Sequence, residues 1–216
     1  METVGVNVTH DASFCRCVNG EIDIFLEEER LSRKKHDNMP VKTVMELQEN
    51  NFAGVTGLEY HDYSLRDTCN FFDVIFRKKI PDHDYRTYNQ HHYLHACCGF
   101  YNSGFEEADV VVVDGLGNFF DEENHECATR WHIKKPAEIK LLERQGASRF
   151  GTKTDRHGYW PMGVGMAYAS ISDYLGFGQL GSGKVMGLAP YGKEDPNIKP
   201  FVIDGRVNSK LFYRTK

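Results

Sequence analysis

The sequence predicts an α/β fold, and three stretches carry that prediction. "SFCRCV" and "EIDIFLE" flank Asn19-Gly20 as the arms of a β-hairpin would, "ADVVVVDG" is an apolar run of strand length, and "GVGMAYASISDYLGF" spaces its apolar residues at helical intervals. Hairpin, helix, strand, helix and strand then follow one another, an order in which ligand loops lie after strand ends.

From the N-terminus, "TVGVNVTH" reads as a strand with Val4, Val6 and Val8 on one face. In the hairpin, Asn19-Gly20 suits the two φ > 0 positions of a type I′ turn. The acidic run Glu27-Glu28-Glu29 is expected to pin the segment after the hairpin through Arg30 and Arg33. "VKTVMELQENN" predicts a helix carrying Val41, Val44, Met45 and Leu47 on its apolar side, and "LEYHDYSL" a short strand. Tyr88 to Tyr101 predicts a helix with a packing stripe of Tyr93, Ala96, Cys97 and Phe100. "ADVVVVDG" suits a central strand covered on both faces. "ECATRWHIKK" and "EIKLLERQ" predict a second hairpin. The helix of "GVGMAYASISDYLGF" should bury Val164, Ala167, Tyr168, Ile171 and Leu175. A last hairpin is expected in "KEDPNIKPFVIDGRVNSKLFYRTK", where the chain reads as interrupted.

Composition narrows the function classes. At 216 residues, 40% hydrophobic, the chain is long enough to bury a real core. A net charge of −5 gives no electrostatic case for nucleic-acid or membrane-surface binding. No window has the apolar length of a membrane span and "METVGVNVTH" is no signal peptide, so a cytosolic protein is expected. The six cysteines lack the spacing of zinc or redox motifs, since Cys15 and Cys17 flank one residue and Cys97 and Cys98 are adjacent; packing residues are the expectation.

The candidate chemistry lies around "HHYLHACC". On a helix, His91 and His95 are one turn apart on a shared face, whereas His92 is rotated about 100° away. A His-x-x-x-His pair alone is weak evidence. Asp114 strengthens it, because a carboxylate ending a buried strand needs a partner, and a cation facing the two imidazoles would be one. Such a ligand set suits iron, zinc or manganese better than calcium. Asp114 also opens "DGLG", where Gly115 and Gly117 either let backbone N–H groups approach a phosphate or ribose, or simply form a turn. "GQLGSGK" has the spacing of a phosphate loop, but Val185 stands where the magnesium-binding Ser or Thr belongs and a helix precedes it. What remains there is a loop lysine, Lys184, either solvated or touching phosphate.

Four blocks together resemble a known family. "GVNVTHDASFCRCVNGEIDIFLEEERLSRKKHD", "HHYLHACCGFYNSGF", "VVVVDGLG" and "SGKVMGLAPYG" are similar, in this order, to the O-carbamoyltransferases that modify antibiotics and nodulation factors. Cys97-Cys98 and the polar stretch "NFFDEENHE" depart from the pattern. The resemblance implies an actin-like ATPase (ribonuclease H-like) lobe with a mixed sheet and flanking helices, related to the tRNA threonylcarbamoyl-transfer proteins. It makes residues 1–216 the N-terminal lobe of the metal-binding domain, with a second lobe and the C-terminal adenylate-forming domain absent. The implied reaction converts carbamoyl phosphate and ATP to carbamoyl-adenylate, whose carbamoyl group passes to an acceptor hydroxyl. His91, His95 and Asp114 would hold an Fe(II)-type metal, His10 would be the general base, and Lys35 would contact carbamoyl-adenylate. From the residues alone, His10 could instead hold a turn through Asp11, and Lys35 could be solvated surface. The alternative function is a non-enzymatic metal- or nucleotide-binding lobe that works only with a partner chain.

Overall fold

The computed structural model describes residues 2–7, 11–48, 57–59, 90–121, 124–148, 163–203 and 206–208, and contacts divide the chain into two units, Met1–Gln90 and His91–Lys216. Both mix α-helices with small β-sheets.

In the first unit, β1 (Glu2–Asn7), β2 (Ser13–Val18) and β3 (Glu21–Glu27) form an antiparallel meander, and β4 (Gly57–Glu59) joins the free edge of β1 in parallel. The order is β3-β2-β1-β4. Asn19 (φ 54°) and Gly20 (φ 89°) make the turn between β2 and β3, as the Asn-Gly pair predicts. Val4, Val6, Ala12 and Phe14 are buried; Val8 lies outside the described residues.

Helices α1 (Glu28–Ser32) and α2 (Val41–Gln48) follow. The acidic run divides its labour here. Glu27 and Glu29 pair with Arg30 at 2.9 and 3.6 Å. Glu28 is buried and accepts the Lys42 N–H (3.0 Å), the Thr43 N–H (2.8 Å) and the Thr43 hydroxyl (3.0 Å). It thus satisfies donors that the first turn of α2 leaves open, at the positive end of its dipole. This geometry corrects the expected apolar side of α2: Thr43 is buried, whereas Val41 and Met45 are exposed. Of the expected strand "LEYHDYSL", Leu58 and Glu59 lie in β4 and the rest falls outside the described residues.

In the second unit, α3 (His91–Ser103) leads into β5 (Glu107–Val113), β6 (Asn124–Lys134) and β7 (Glu138–Ser148), an antiparallel sheet in the order β5-β6-β7. Ala96 and Phe100 of α3 pack with Val112 and Ile133, flanked by Ala108, Val110, Trp131 and Ile139. Among the described residues β5 is therefore not the central, doubly covered strand expected from its valines. Among them it is an edge strand with one face under α3, and Val111 (65%) and Val113 (56%) on the other face are exposed.

Helices α4 (Val164–Tyr174) and α5 (Ser182–Leu188), a 3-10 turn at Ala189–Tyr191 and the short pair β8 (Val202–Ile203) and β9 (Arg206–Val207) complete the second unit. In α4, Ala167 and Ser172 are buried while Val164 and, just past the helix end, Leu175 are exposed, so the inward stripe is narrower than predicted and built from smaller residues. The reason is close approach: a Cβ on Gly165 would sit 2.5 Å from Gly115 N and 2.7 Å from Asp114 C. Lys184 belongs to α5, not to a loop, and its ammonium lies 5.5 Å from the Phe177 ring centroid. Among the described residues no helix is long and apolar enough to cross a membrane.

Candidate metal centre

The first turn of α3 meets the end of β5. Helical periodicity puts His91 and His95 on one face, and their ring centroids lie 4.6 Å apart. The chain leaves β5 at Asp114, whose Oδ2 is 2.7 Å from His91 Nε2 and 3.7 Å from His95 Nε2; the two Nε2 atoms are 3.2 Å apart. Ligand atoms on a cation with bonds of about 2.0–2.1 Å are separated by roughly 2.9–3.4 Å, the spacing this trio already has to within a few tenths of an ångström. One ligand atom from each of the three residues falls within 4.8 Å of the others. The donor set, two imidazoles and a carboxylate, suits a transition metal.

Asp114 is held in its charged form. Burial pushes its carboxyl up, but the His91 hydrogen bond, the Gly115 N–H at 2.6 Å and the nearby His91 and His95 charges outweigh burial and bring it down to about 2. The loop that follows uses its own amides: Gly115 N–H donates to Asp114 Oδ1, and Gly117 N–H to Glu126 O at 2.7 Å. These glycines are needed for close packing. A Cβ on Gly117 would stand 2.7 Å from His92 Cδ2 and 2.8 Å from Glu126 Cβ.

His92 points away from the trio into the interior. It is fully buried, with Nδ1 3.0 Å from Thr129 Oγ1, and burial lowers its pKa to about 4. The described cysteines stay out of the trio as well. Cys127 is buried, Cys15, Cys17 and Cys97 are partly buried, and Cys98 is exposed, which corrects the expectation that it packs. Cys69 lies outside the described residues. Burial raises the pKa of Cys97 and Cys127, favouring the neutral thiol over the metal-binding thiolate.

Of the remaining predicted residues, Lys35 belongs to the first unit and His10 lies outside the described residues. Lys35 is exposed in the turn after α1. Near it is a cluster that sequence reading missed: Asp11 Oδ1 is 2.7 Å from His36 Nδ1, the His36 N–H donates to Glu29 Oε2 at 3.2 Å, and the three side chains offer donor atoms within 4.8 Å. Also missed were the buried Glu126, paired with Arg144 at 2.9 Å, and Asn118, whose side-chain oxygen accepts the His91 N–H at 2.7 Å. No local spacing announces either contact.

The family model for Carbamoyltransferase N-terminus matches residues 71–215. The chain belongs to this carbamoyltransferase family. The match takes in His91, His95, Asp114 and the later "SGKVMGLAPYG" block. Nodulation protein NolNO of Sinorhizobium fredii is 24% identical over 216 residues, covering 87% of this chain and 28% of that relative. An uncharacterized protein of Synechocystis is 23% identical over 248 residues, covering 93% of this chain and 36% of the relative. Nodulation protein NolO of Bradyrhizobium diazoefficiens is 33% identical over 107 residues, covering 49% of this chain and 16% of the relative. The chain spans well under half the length of these relatives.

Proposed function

We propose that this chain is the N-terminal lobe of an O-carbamoyltransferase metal-binding domain, of actin-like ATPase type, that transfers a carbamoyl group from carbamoyl-adenylate to an acceptor hydroxyl. The observation that carries the reading is the convergence of His91, His95 and Asp114 within the family-matched segment. The meander-plus-parallel-strand order β3-β2-β1-β4 agrees with the lobe type.

In this reading, carbamoyl phosphate, water and ATP give the adenylate, with release of inorganic phosphate and pyrophosphate, in a portion of the enzyme outside these residues. The acceptor oxygen attacks the carbamoyl carbon, the bond from that carbon to the AMP phosphate oxygen breaks, and AMP leaves. His10 takes the hydroxyl proton, and Lys35 contacts the adenylate. His91, His95 and Asp114 would hold an Fe(II)-type cation, with zinc or manganese as substitutes, and orient it. Such a cation supplies Lewis-acid stabilisation of charge on the transferring group's oxygen. Lys184 is proposed only as a contact to substrate phosphate. It is exposed with its ammonium over the Phe177 ring, so its contribution is expected to be small.

The test pairs the metal-loaded chain with the remaining portion of a carbamoyltransferase and follows acceptor-dependent AMP release from carbamoyl phosphate and ATP. The chain alone is expected to release none. The reconstituted protein should do so, and His95→Ala should abolish it. Full turnover by the chain alone would overturn the division of labour, and turnover indifferent to His91→Ala and His95→Ala would overturn the site.

A further inference from the structure

We infer that Asn118 is a positioning residue that sets the first turn of α3, and with it His91, against Asp114; the consequence for metal binding rests on the reading above. His91 begins α3, so its N–H has no acceptor within the helix. Asn118 Oδ1 fills that role at 2.7 Å, from 27 residues away.

The main chain of Asn118 is tied to β6. Its carbonyl accepts the Glu126 N–H at 3.0 Å, while the preceding Gly117 N–H donates to Glu126 O at 2.7 Å. The loop is also pressed onto the helix, because a Cβ at Gly117 would lie 2.7 Å from His92 Cδ2 and 2.8 Å from His92 Nε2. His92 in turn is fully buried against Thr129 of β6. Asn118 therefore links β6 to the helix that bears both imidazoles.

Asp114 lies four positions earlier in the same loop, held by its N–H to Cys127 O at 3.1 Å. One loop thus carries the carboxylate at one end and the cap for the imidazole helix at the other. Partners of this kind around metal ligands alter affinity by about 10–100-fold when removed.

The experiment compares the native chain with Asn118→Leu, which keeps volume but loses the acceptor, and Asn118→Asp, which retains an oxygen for the His91 N–H. Co(II) is titrated into each, its visible ligand-field bands are recorded, and exchange of the His91 amide hydrogen is followed in the metal-free proteins. Asn118→Leu should bind Co(II) about tenfold more weakly with shifted bands and should expose the His91 amide, while Asn118→Asp should restore both readouts. A merely destabilised protein would lose cooperative melting without a specific change at His91. If Asn118→Leu keeps native bands, affinity and His91 protection, the inference falls. If the native chain binds no Co(II), the metal reading fails, and the His91 amide alone decides: its exposure in Asn118→Leu upholds the positioning role, and unchanged protection overturns it.

Discussion

His91 Nε2 and Asp114 Oδ2 lie 2.7 Å apart across 23 residues of sequence, and His95 Nε2 is 3.2 Å from the same imidazole nitrogen. A helix start and a strand end are thereby brought to one point, with each donor already near the separation a bound cation requires.

His91→Ala, His95→Ala and Asp114→Asn should each reduce stoichiometric Fe(II) or Zn(II) binding below detection in equilibrium dialysis. Cys97→Ser and Cys98→Ser should leave it unchanged, because neither thiol belongs to the trio. Loss of metal in the cysteine variants and its retention in the histidine variants would reverse the assignment.

Acidification of the metal-free protein should weaken it in two separate windows. His92 is held neutral, its pKa lowered from 6.5 to about 4 by burial, so the unfolded chain binds the extra proton. Its contribution is complete above pH 6.5 and is lost as pH falls toward 4, by at most about 3 kcal/mol. Asp114 is lowered from 3.8 to about 2, so its contribution is present above 3.8 and is lost only as pH falls from there through 2. Urea unfolding between pH 7 and 4 should show a slope that flattens in His92→Gln. An unaltered slope would assign the loss to other groups.

Gly165→Ala should destabilise the protein by about 1–3 kcal/mol, because the new methyl meets Gly115 N at 2.5 Å and Asp114 C at 2.7 Å. That cost exceeds the roughly 1 kcal/mol by which alanine favours a helix. Gly183→Ala on α5 is the contrast: nothing lies within 4 Å of its Cβ, so it should be neutral or stabilising by up to about 1 kcal/mol. Thermal melts of the two variants should move in opposite directions or, at the least, separate clearly.

The exposed valines of β5 predict self-association. Among the described residues, Val111 and Val113 stand on a strand at the edge of its sheet, a surface that invites pairing. Val111→Lys should shift sedimentation toward the monomer with little loss of stability, since Val111 is 65% exposed. A native chain that sediments as a monomer at all concentrations would remove the premise.

Local chemistry made part of this protein legible from its sequence. Asn19-Gly20 specifies its turn because two successive φ > 0 positions are a property of those residues themselves. His91 and His95 share a face because helical periodicity requires it, and the order of four blocks was enough to indicate the carbamoyltransferase family. The rest depended on which elements become neighbours. The valines of β5 are equally apolar whether one face or both are covered, so only the sheet order reveals an edge strand. Thr43 turns inward because Glu28, 15 residues earlier, caps α2. The narrow stripe of α4 reflects its contact with the backbone at Asp114-Gly115, and His91 is held by Asn118 from 27 residues away. Sequence periodicity records what a residue's own turn or strand demands; the partner that satisfies a buried donor or fills a face exists only once distant segments have packed.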